Sequence, residues 1–245
     1  MRVLFVGSGD AFGHGGRFNT CFHVTGDQIN FLLDCGASSI VSLKANQVAL
    51  NEIQAILITH FHADHFGGIP FLILDARFFS KRTQALTIAG PQGLRDCFEH
   101  LMEMSFPGSS KIKQRFELSL VELEERQPTV IDGLCVTPFL VNHGNTGWPS
   151  FAYRIEAEGR TIAYTGDTEW TDALIDAGRD ADLFIAEAYF YDKKVKFHLD
   201  YVTLVKYLSS IQPKRLVLTH MSEDMLHRVS DIPHEIAEDG NVLEI

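Results

Sequence analysis

The stretch ITHFHADHFGG, residues 58–68, places three histidines and an aspartate within six positions. It continues the apolar run AILI (55–58), which is typical of a buried strand. Burying this many polar side chains without partners would cost free energy. Imidazole and carboxylate groups are ligands that zinc, manganese and iron accept. The stretch therefore predicts a metal site at the end of a strand. Gly67 and Gly68 would allow a tight turn into a helix predicted at 66–81.

Three further apolar strands run into potential metal ligands. FLVNH ends at His143, IAYTGD at Asp167 and LVLTH at His220. A lone histidine of this kind is more often hydrogen-bonded or exposed than bound to a metal, so each residue alone is a weak signal. Strand ends are rigid and exposed, however, and can hold ligands at fixed spacing. Taken with the cluster at 60–65, they predict one metal centre built from both halves of the chain.

Strands and helices alternate along the whole sequence in two similar halves. Strands are predicted at 2–7, 20–26, 29–34, 53–60, 85–90, 133–143, 182–189 and 215–220, with two more inside 150–167 around Glu158-Gly159; helices are predicted at 66–81, 91–104 and 200–211. Pro91 is expected as the first residue of its helix. No linker rich in proline, glycine or serine separates the halves, so residues 1–245 are interpreted as a single α/β domain with two packed sheets and helices outside.

Composition narrows the classes of function. The chain is 45% hydrophobic and 22% charged, so it can bury a large core and does not resemble a disordered chain. Its net charge of −11 argues against a general basic field for nucleic acid, so an anionic substrate must be drawn by local charge. The four cysteines show no C-x-x-C spacing, and no apolar segment approaches the ~20 residues of a membrane span. Reduced cysteines and a cytoplasmic location without membrane contact are expected.

The motif THFHADH, followed by His143, Asp167 in YTGDT and His220 in LTHMS, resembles the metal motifs of the metallo-β-lactamase-fold hydrolases. The resemblance covers essentially the whole chain and implies a four-layer αββα sandwich with two divalent metal ions. Zinc is expected, with manganese and iron as alternatives. The resemblance implies that one metal takes His60, His62 and His143, that the other takes Asp64, His65 and His220, and that Asp167 bridges them.

Further motifs resemble the ribonuclease Z-like phosphodiesterase branch of that family. Asp34 in LLDCG would orient a metal ligand through a hydrogen bond. Glu187 in AEAY and His198 in FHLD stand where the branch carries a glutamate and a histidine that cooperate in proton transfer, and with Asp64 they are the expected catalytic residues. One departure is that Leu199-Asp200 follow the histidine where the branch usually has Ser or Thr. Asp200 is interpreted as a helix cap.

The substrate implied is a small anionic phosphodiester, a nucleotide or short RNA, hydrolysed by attack of a hydroxide that the two metals share. Bacterial ribonuclease Z carries a long tRNA-gripping arm between the motifs of His143 and Asp167, whereas only one hairpin fits here, so folded tRNA is not an expected partner. The glycine-rich segment 7–20 is predicted to be a mobile loop lining the site.

Three short basic clusters and one candidate loop are predicted to lie at the surface. SKR (80–82), KIKQR (111–115) and KKVK (193–196) are interpreted as solvated faces, and 106–115 as a candidate flexible loop over the cleft. Relatives in the branch often pair, so a homodimer is considered.

Other functions on the same scaffold stay open at this point. The main alternative is a lactonase or another ester or thioester hydrolase, in which Tyr189 or Tyr191 would lie near the metals. A mononuclear iron oxygenase is disfavoured because every ligand for a second metal is present. A non-catalytic binding module is disfavoured because a full ligand set accompanies a candidate acid.

Overall fold

The computed structural model describes residues 1–144 and 147–245, and in this part of the chain fourteen strands form two seven-stranded sheets. The first sheet has the spatial order β14-β1-β2-β3-β4-β5-β6, formed by β1 (Arg2–Gly7), β2 (Cys21–Thr25), β3 (Asn30–Leu33), β4 (Ala55–Leu57), β5 (Leu86–Gly90), β6 (Leu118–Glu122) and β14 (Val242–Glu244). The second has the order β13-β12-β11-β10-β9-β8-β7, formed by β7 (Thr129–Ile131), β8 (Leu134–Val141), β9 (Ser150–Ala157), β10 (Arg160–Tyr164), β11 (Leu183–Glu187), β12 (Leu216–Thr219) and β13 (Glu235–Ile236).

Helices cover the outer faces of both sheets. They are α1 (Ser39–Ala45), α2 (Ala63–Phe66), α3 (Ile69–Phe78), α4 (Leu94–Ser105), α5 (Ala173–Gly178), α6 (Tyr201–Ile211) and α7 (Glu223–Leu226). One apolar cluster joins the facing sheets, with Phe22 edge-on to Tyr164 at 5.2 Å between ring centroids. A second cluster packs α1, α3 and α4 on the first sheet, and a third packs α5 and α6 on the second. The prediction of a four-layer αββα sandwich is therefore confirmed.

Most predicted strands are present but shorter than predicted, and two helix predictions need correction. The helix predicted at 66–81 is α3, which begins three residues later and ends at Phe78. The short helix α2 precedes it, and Gly67 and Gly68 separate the two. Pro91 does not begin a helix: α4 begins at Leu94, because Gly93 has φ +93° and a left-handed residue cannot lie inside a right-handed helix.

The turn predicted at Glu158-Gly159 is confirmed. Both residues have positive φ, +49° and +72°, as a two-residue hairpin turn requires. This hairpin of β9 and β10 occupies the interval between His143 and Asp167, of which residues 145 and 146 lie outside the described part.

One basic cluster is not the solvated face that the sequence suggested. Arg82 is 1% exposed, although its neighbour Lys81 is exposed. The Arg82 guanidinium donates hydrogen bonds to the carbonyl oxygens of Leu50 at 3.0 Å and Ile53 at 2.5 Å. It therefore satisfies backbone acceptors that would otherwise be buried without partners, and its role is structural.

The two ends of the chain meet in the first sheet. β1 pairs antiparallel with β14, and the Met1 amino group donates to the Ile245 carbonyl oxygen at 3.1 Å. Close to this edge, the Asp239 carboxylate accepts hydrogen bonds from the backbone N–H groups of Ser8 at 2.8 Å and Phe18 at 2.7 Å. Asp239 thus fixes both ends of the glycine-rich segment predicted to line the site.

The sheets are joined beside the predicted metal site. The Tyr153 hydroxyl donates to the Ile58 carbonyl oxygen at 2.6 Å, and the Phe151 N–H donates to the Thr59 carbonyl oxygen at 3.0 Å. β9 of one sheet therefore holds the segment that leaves β4 of the other. This linkage sets the direction in which the chain reaches His60.

Two expectations about chemistry and location can be compared with the structure. All four cysteines have free thiols. Among the described helices, none combines the length and the apolar character needed to cross a bilayer.

Candidate metal centre

The seven predicted ligands come together where chain segments leave the carboxyl ends of strands in both sheets. His60 follows β4, His143 follows β8, Asp167 follows β10 and His220 follows β12. The remaining three lie on the short turn of helix after His60: His62, Asp64 and His65. Six of the seven are buried, and only His62 is exposed. The sandwich therefore concentrates imidazoles and carboxylates in a place that contains little water.

The donor atoms of the seven predicted ligands fall into two groups, and a third group joins Asp167 and His220 with Glu187 and His198. Those of His60, His62 and His143 lie within 4.8 Å of one another, and those of Asp64, His65, Asp167 and His220 do the same. His143 Nε2 is 3.0 Å from His62 Nδ1, and His65 Nε2 is 3.4 Å from His220 Nε2. Nitrogen atoms so close in neutral imidazoles repel unless a cation or a proton lies between them.

Asp167 is the member of the second group that also approaches the first. Its Oδ1 is 3.2 Å from His65 Nε2, and its Oδ2 is 3.3 Å from His220 Nε2 and 3.7 Å from His143 Nε2. One carboxylate therefore reaches a histidine of the first group and two of the second. This geometry suits a group that touches both metals.

Asp34 orients histidines of both groups. It is fully buried and accepts a hydrogen bond from His65 Nδ1 at 2.7 Å, which leaves the His65 Nε2 lone pair facing the cluster. The Thr59 hydroxyl donates to Asp34 Oδ2 at 2.9 Å and lies 3.0 Å from His60 Nδ1. Since that hydroxyl proton is used by Asp34, the hydroxyl oxygen accepts from His60 Nδ1–H.

His60 provides a direct test of whether a metal fits. Its Nε2 is buried and has no hydrogen-bond partner among the described residues. A buried lone pair without a partner is costly, and a metal ion would satisfy it. The buried histidines and carboxylates therefore fit a dinuclear metal site.

His143 is oriented by the backbone rather than by a carboxylate. Its Nδ1 donates to the Phe197 carbonyl oxygen at 2.8 Å, so its Nε2 lone pair also faces the cluster. Phe197 has φ +73°, an uncommon conformation for a bulky residue. This contact could not be predicted from the sequence, because it is made by a backbone carbonyl group, which every residue has.

The acidic and basic side chains of the cluster shift one another's pKa. Burial, together with neighbouring His65, lowers the pKa of His60 well below its usual value. Burial would raise the pKa of Asp167, but His220 and His65 outweigh it and hold that pKa well below the ordinary range. Burial likewise opposes ionisation of Asp64, yet His65 and His220 lower its pKa. The carboxylates therefore stay anionic, and in turn they raise the pKa of His65 and His220 well above its usual value. Positive charge is stabilised at this place, whether a proton or a metal ion carries it.

Replacing Asp34 with asparagine is expected to weaken metal binding by about 10–100-fold, because one side-chain amide cannot accept from both Thr59 and His65 as the carboxylate does. Competition with a chelating indicator would measure the metal affinity. Asp75→Asn is the matched control, since Asp75 is a buried carboxylate on α3 that pairs with Lys44. Equal metal affinities of Asp34→Asn and the wild type would contradict the orienting role.

The predicted acid pair is in contact. His198 Nδ1 lies 2.5 Å from Glu187 Oε1, and Glu187 Oε2 accepts from the N–H groups of Thr168 at 2.9 Å and Leu199 at 3.2 Å. Burial lowers the pKa of His198, but Glu187 outweighs it, and the pKa is raised overall. Nδ1 is thus engaged, and Nε2 is the nitrogen free to exchange a proton.

Asp200 has the structural role predicted for it. Its side chain accepts from the Thr203 N–H at 2.9 Å and caps α6. The departure at Leu199-Asp200 therefore leaves the contact between Glu187 and His198 intact.

A cavity of about 270 Å³ opens over the cluster. Its walls are formed by Ala11, Phe12, His62, Asp64, His143, Asp167, Tyr189, Phe197, His198 and His220. The glycine-rich segment thus does line the site, while its mobility stays a prediction. No lysine or arginine stands among these described lining residues, so an anionic substrate would depend on the metals for attraction.

The structure also shows where the two candidate tyrosines and the candidate loop 106–115 lie relative to the cavity. Tyr189 lies in the cavity and stacks on His198 at 4.5 Å between centroids, whereas Tyr191 packs on Tyr201. Burial and neighbouring Asp10 raise the pKa of Tyr189 to about 12, so its hydroxyl stays neutral. The segment 106–115 does not cover this cavity and is instead fastened to α4, where Glu103 accepts from the Gly108 N–H at 2.8 Å.

Sequence comparison finds relatives of known class. The ribonuclease Z of Methanosarcina acetivorans is 26% identical, with 100% of this chain and 98% of the relative covered. The ribonuclease Z of Bacillus subtilis is 24% identical, and the alignment covers 91% of this chain and 88% of the relative. The first alignment spans 301 positions, more than the 245 residues of this chain, so that relative has insertions that are absent here.

Comparison with solved structures finds proteins of the same class. Human tRNase Z, short form, superposes with a TM-score of 0.78 at 26% identity, covering 100% of this chain and 99% of the other. A diphosphatase of the PhnP family gives a TM-score of 0.78 at 20% identity, covering 100% and 97%. The metallo-β-lactamase-fold protein YhfI of Bacillus subtilis gives a TM-score of 0.77 at 20% sequence identity, and the superposition covers 99% of each chain.

The fold and the site define a metallo-β-lactamase-fold, ribonuclease Z-like phosphodiesterase, which is a metal-dependent hydrolase. Within this class the family described as Anti-Pycsar protein Apyc1 matches residues 1–241, and the chain belongs to that family. The resemblance inferred from the motifs is confirmed, and nothing in these comparisons supports the lactonase alternative.

Proposed function

We propose that this phosphodiesterase acts on small phosphodiesters, such as nucleotides or short RNA, at a dinuclear metal centre. The observation that carries the proposal is that His198, held by Glu187, lines the same cavity as the ligand cluster. An acid beside a pair of metals is the arrangement that displacement of an alkoxide from phosphorus needs.

The proposed metal sites use all seven clustered residues. One ion would be held by His60, His62 and His143 and the other by Asp64, His65 and His220, with Asp167 shared. Zinc is the proposed metal, since a site rich in imidazole with few carboxylates suits it; manganese and iron are the alternatives.

The protein side chains have separable tasks. When bound, the two ions lower the pKa of the water they share and stabilise charge on both oxygens of the displacement. Glu187 keeps His198 in one tautomer and supports its protonated form. His198 Nε2 then gives a proton to the departing oxygen. Asp64, which lies 3.3 Å from His220 Nε2, is proposed to hold both the second metal and the attacking water.

Cavity size supports a small substrate. About 270 Å³ is at the low end for ligand pockets, and the hairpin of β9 and β10 leaves no arm to hold the body of a tRNA. Folded tRNA is therefore excluded from the proposal. The family is described as anti-Pycsar, and we propose on that basis that this chain opposes Pycsar through its hydrolase activity.

The proposal extends to organisation and location. Residues 1–245 are proposed to act as one domain, supported by the pairing of β1 with β14 and by a cluster that draws ligands from both halves. A cytoplasmic location is supported by the free thiols. A homodimer is proposed because relatives in the ribonuclease Z-like branch often form dimers.

Hydrolysis of bis(p-nitrophenyl) phosphate by protein reconstituted with zinc or manganese tests the function. Metal-dependent turnover is expected, at a rate well above that for lactone and thioester substrates measured in parallel. The proposal would be contradicted if protein that is shown to hold two metals cleaved a lactone but no phosphodiester. Gel filtration of the same samples gives the oligomeric state.

A further inference from the structure

A short segment at the surface, residues 192–198, carries the proposed acid His198. Among the described elements, no helix or strand includes this segment, and five of its seven residues are exposed. His198 lines both the cavity over the ligand cluster and a second cavity of about 220 Å³. A segment that borders two cavities has few apolar neighbours to fix it. The position of the segment therefore depends on its polar contacts.

Glu169, in the chain that leaves β10, makes such a contact. Its Oε2 accepts a hydrogen bond from the Phe197 N–H at 3.2 Å, and its Oε1 accepts one from the Asn142 side-chain amide. The Glu169 N–H in turn donates to the Asn142 carbonyl oxygen at 3.0 Å. One half-buried carboxylate thus ties the segment that carries His198 to the residue that precedes His143. These contacts of Glu169 with Asn142 and Phe197 are called the Glu169 clasp below.

The clasp holds Phe197 in a conformation that a bulky residue otherwise avoids. Phe197 has φ +73°, which carries a conformational cost and persists only where the surroundings impose it. Its N–H is held by Glu169, and its carbonyl oxygen accepts from His143 Nδ1 at 2.8 Å. Without Glu169 the Phe197 backbone would be free to return to negative φ. The carbonyl group would then turn away from His143.

Two groups of the proposed reaction depend on this one residue. His143 is a member of the first donor group, and the Phe197 carbonyl group orients its ring toward that group. His198 follows Phe197 directly, so its backbone moves with that residue. In the second donor group, His65 is oriented independently, by Asp34 at 2.7 Å.

We propose that Glu169 is a positioning residue, which sets the place of the proposed acid His198 relative to the metal ligand His143. The inference rests on the proposed function and adds a residue that none of the metal motifs contains. Glu169 is not among the described residues that line the cavity over the ligand cluster. It therefore acts through the Phe197 backbone and not by contact with the substrate.

Glu169→Ala and Glu169→Gln, compared with the wild type as full-length, zinc-loaded protein, test the proposal. Alanine removes the clasp. Glutamine keeps it without the charge, because its oxygen can accept from the Phe197 N–H while its amide donates to the side-chain oxygen of Asn142. Three quantities should be measured: amide hydrogen exchange of residues 192–198, zinc affinity by competition with a chelating indicator, and the cleavage rates of a dinucleoside phosphate and of bis(p-nitrophenyl) phosphate.

Glu169→Ala is expected to change all three quantities. Exchange of the segment should rise by about tenfold or more, since a hydrogen bond to a charged group is lost. The affinity for one of the two zinc ions should fall by about tenfold, because His143 loses its orienting partner while His65 keeps its own. Cleavage of the dinucleoside phosphate should fall severalfold more than cleavage of bis(p-nitrophenyl) phosphate, which needs no acid. Glu169→Gln should stay close to the wild type in each measurement.

Glu103→Ala is the matched control, because Glu103 holds another surface loop in the same way. Its carboxylate accepts from the N–H groups of Gly108 at 2.8 Å and Ser110 at 3.1 Å, away from the cavity. Faster exchange is expected at 108–110, with zinc affinity and the ratio of the two rates unchanged. Thermal unfolding shows whether each variant folds. If Glu169→Ala does not fold, Asn142→Ala replaces it and removes only the side-chain anchor of the clasp.

A purely structural role would overturn the proposal. It would appear as faster exchange in Glu169→Ala with wild-type zinc affinity and an unchanged ratio of the two rates. A Glu169→Gln variant as impaired as Glu169→Ala would also overturn it, since charge and not the clasp would then be responsible. If the wild type binds zinc but cleaves no phosphodiester, the proposed function fails, and exchange and zinc affinity alone decide whether Glu169 positions His143.

Discussion

Asp167→Asn is expected to lose turnover by on the order of 10³-fold, together with metal. Two bound metals supply several kcal/mol of transition-state stabilisation, and each 1.4 kcal/mol is a factor of ten in rate. Asp167 is the carboxylate that reaches both donor groups, and an amide would remove its charge and present a donor to the histidines. Metal content by elemental analysis and phosphodiester turnover should be measured on the same samples.

Asp182→Asn provides the matched control for that variant. Asp182 pairs with Lys214 at 2.8 Å and accepts from the Thr161 N–H at 2.8 Å, away from the cluster. Its substitution should leave metal content and kcat unchanged. If Asp167→Asn kept a full metal complement and lost activity only slightly, the bridging role would be wrong even with the fold intact.

His198→Ala is expected to slow cleavage of a dinucleoside phosphate by about 10²–10⁴-fold, the usual contribution of a general acid. Cleavage of bis(p-nitrophenyl) phosphate should fall far less, because p-nitrophenolate leaves without a proton. The ratio of the two losses is the informative quantity. Metal content should stay near that of the wild type, since the two donor groups proposed for the metals do not contain His198, which belongs to a third group with Asp167, Glu187 and His220.

The same two substrates provide the control for His198→Ala and the result that would contradict its proposed role. His100→Ala removes an exposed histidine of α4 and should change neither rate. Equal losses on both substrates would mean that His198 positions the substrate or the metals and does not protonate the leaving oxygen. Glu187→Gln should weaken the dinucleoside reaction in the same direction, since Glu187 supports the protonated form of His198.

Much of the centre could be predicted because its signals are local in sequence. His60, His62, Asp64 and His65 stand in one motif, and the other ligand candidates follow apolar strands that are visible as runs. The structure brings all seven together, while their function as ligands remains a prediction. The sandwich followed from the same runs, since apolar strands in two halves must bury both faces.

What could not be predicted depends on backbone conformation and tertiary contact. The Phe197 carbonyl group that orients His143 has no side-chain signature, and Thr59 looks like any residue before a histidine. Pro91 favoured a helix start that Gly93 prevents two residues later. Arg82 looked like part of a solvated cluster because sequence alone does not show which carbonyl groups lack partners.

The attachment of the glycine-rich segment to Asp239 has a consequence for how the protein is made. Synthesis releases the N-terminal residues first, whereas a domain generally folds as a unit. All seven clustered residues precede Asp239 in the sequence, so they emerge from the ribosome before the residue that fastens Ser8 and Phe18. The segment that carries Phe12 therefore gains its anchor only when the region around Asp239 has docked, so this wall of the cavity is expected to be completed late in folding.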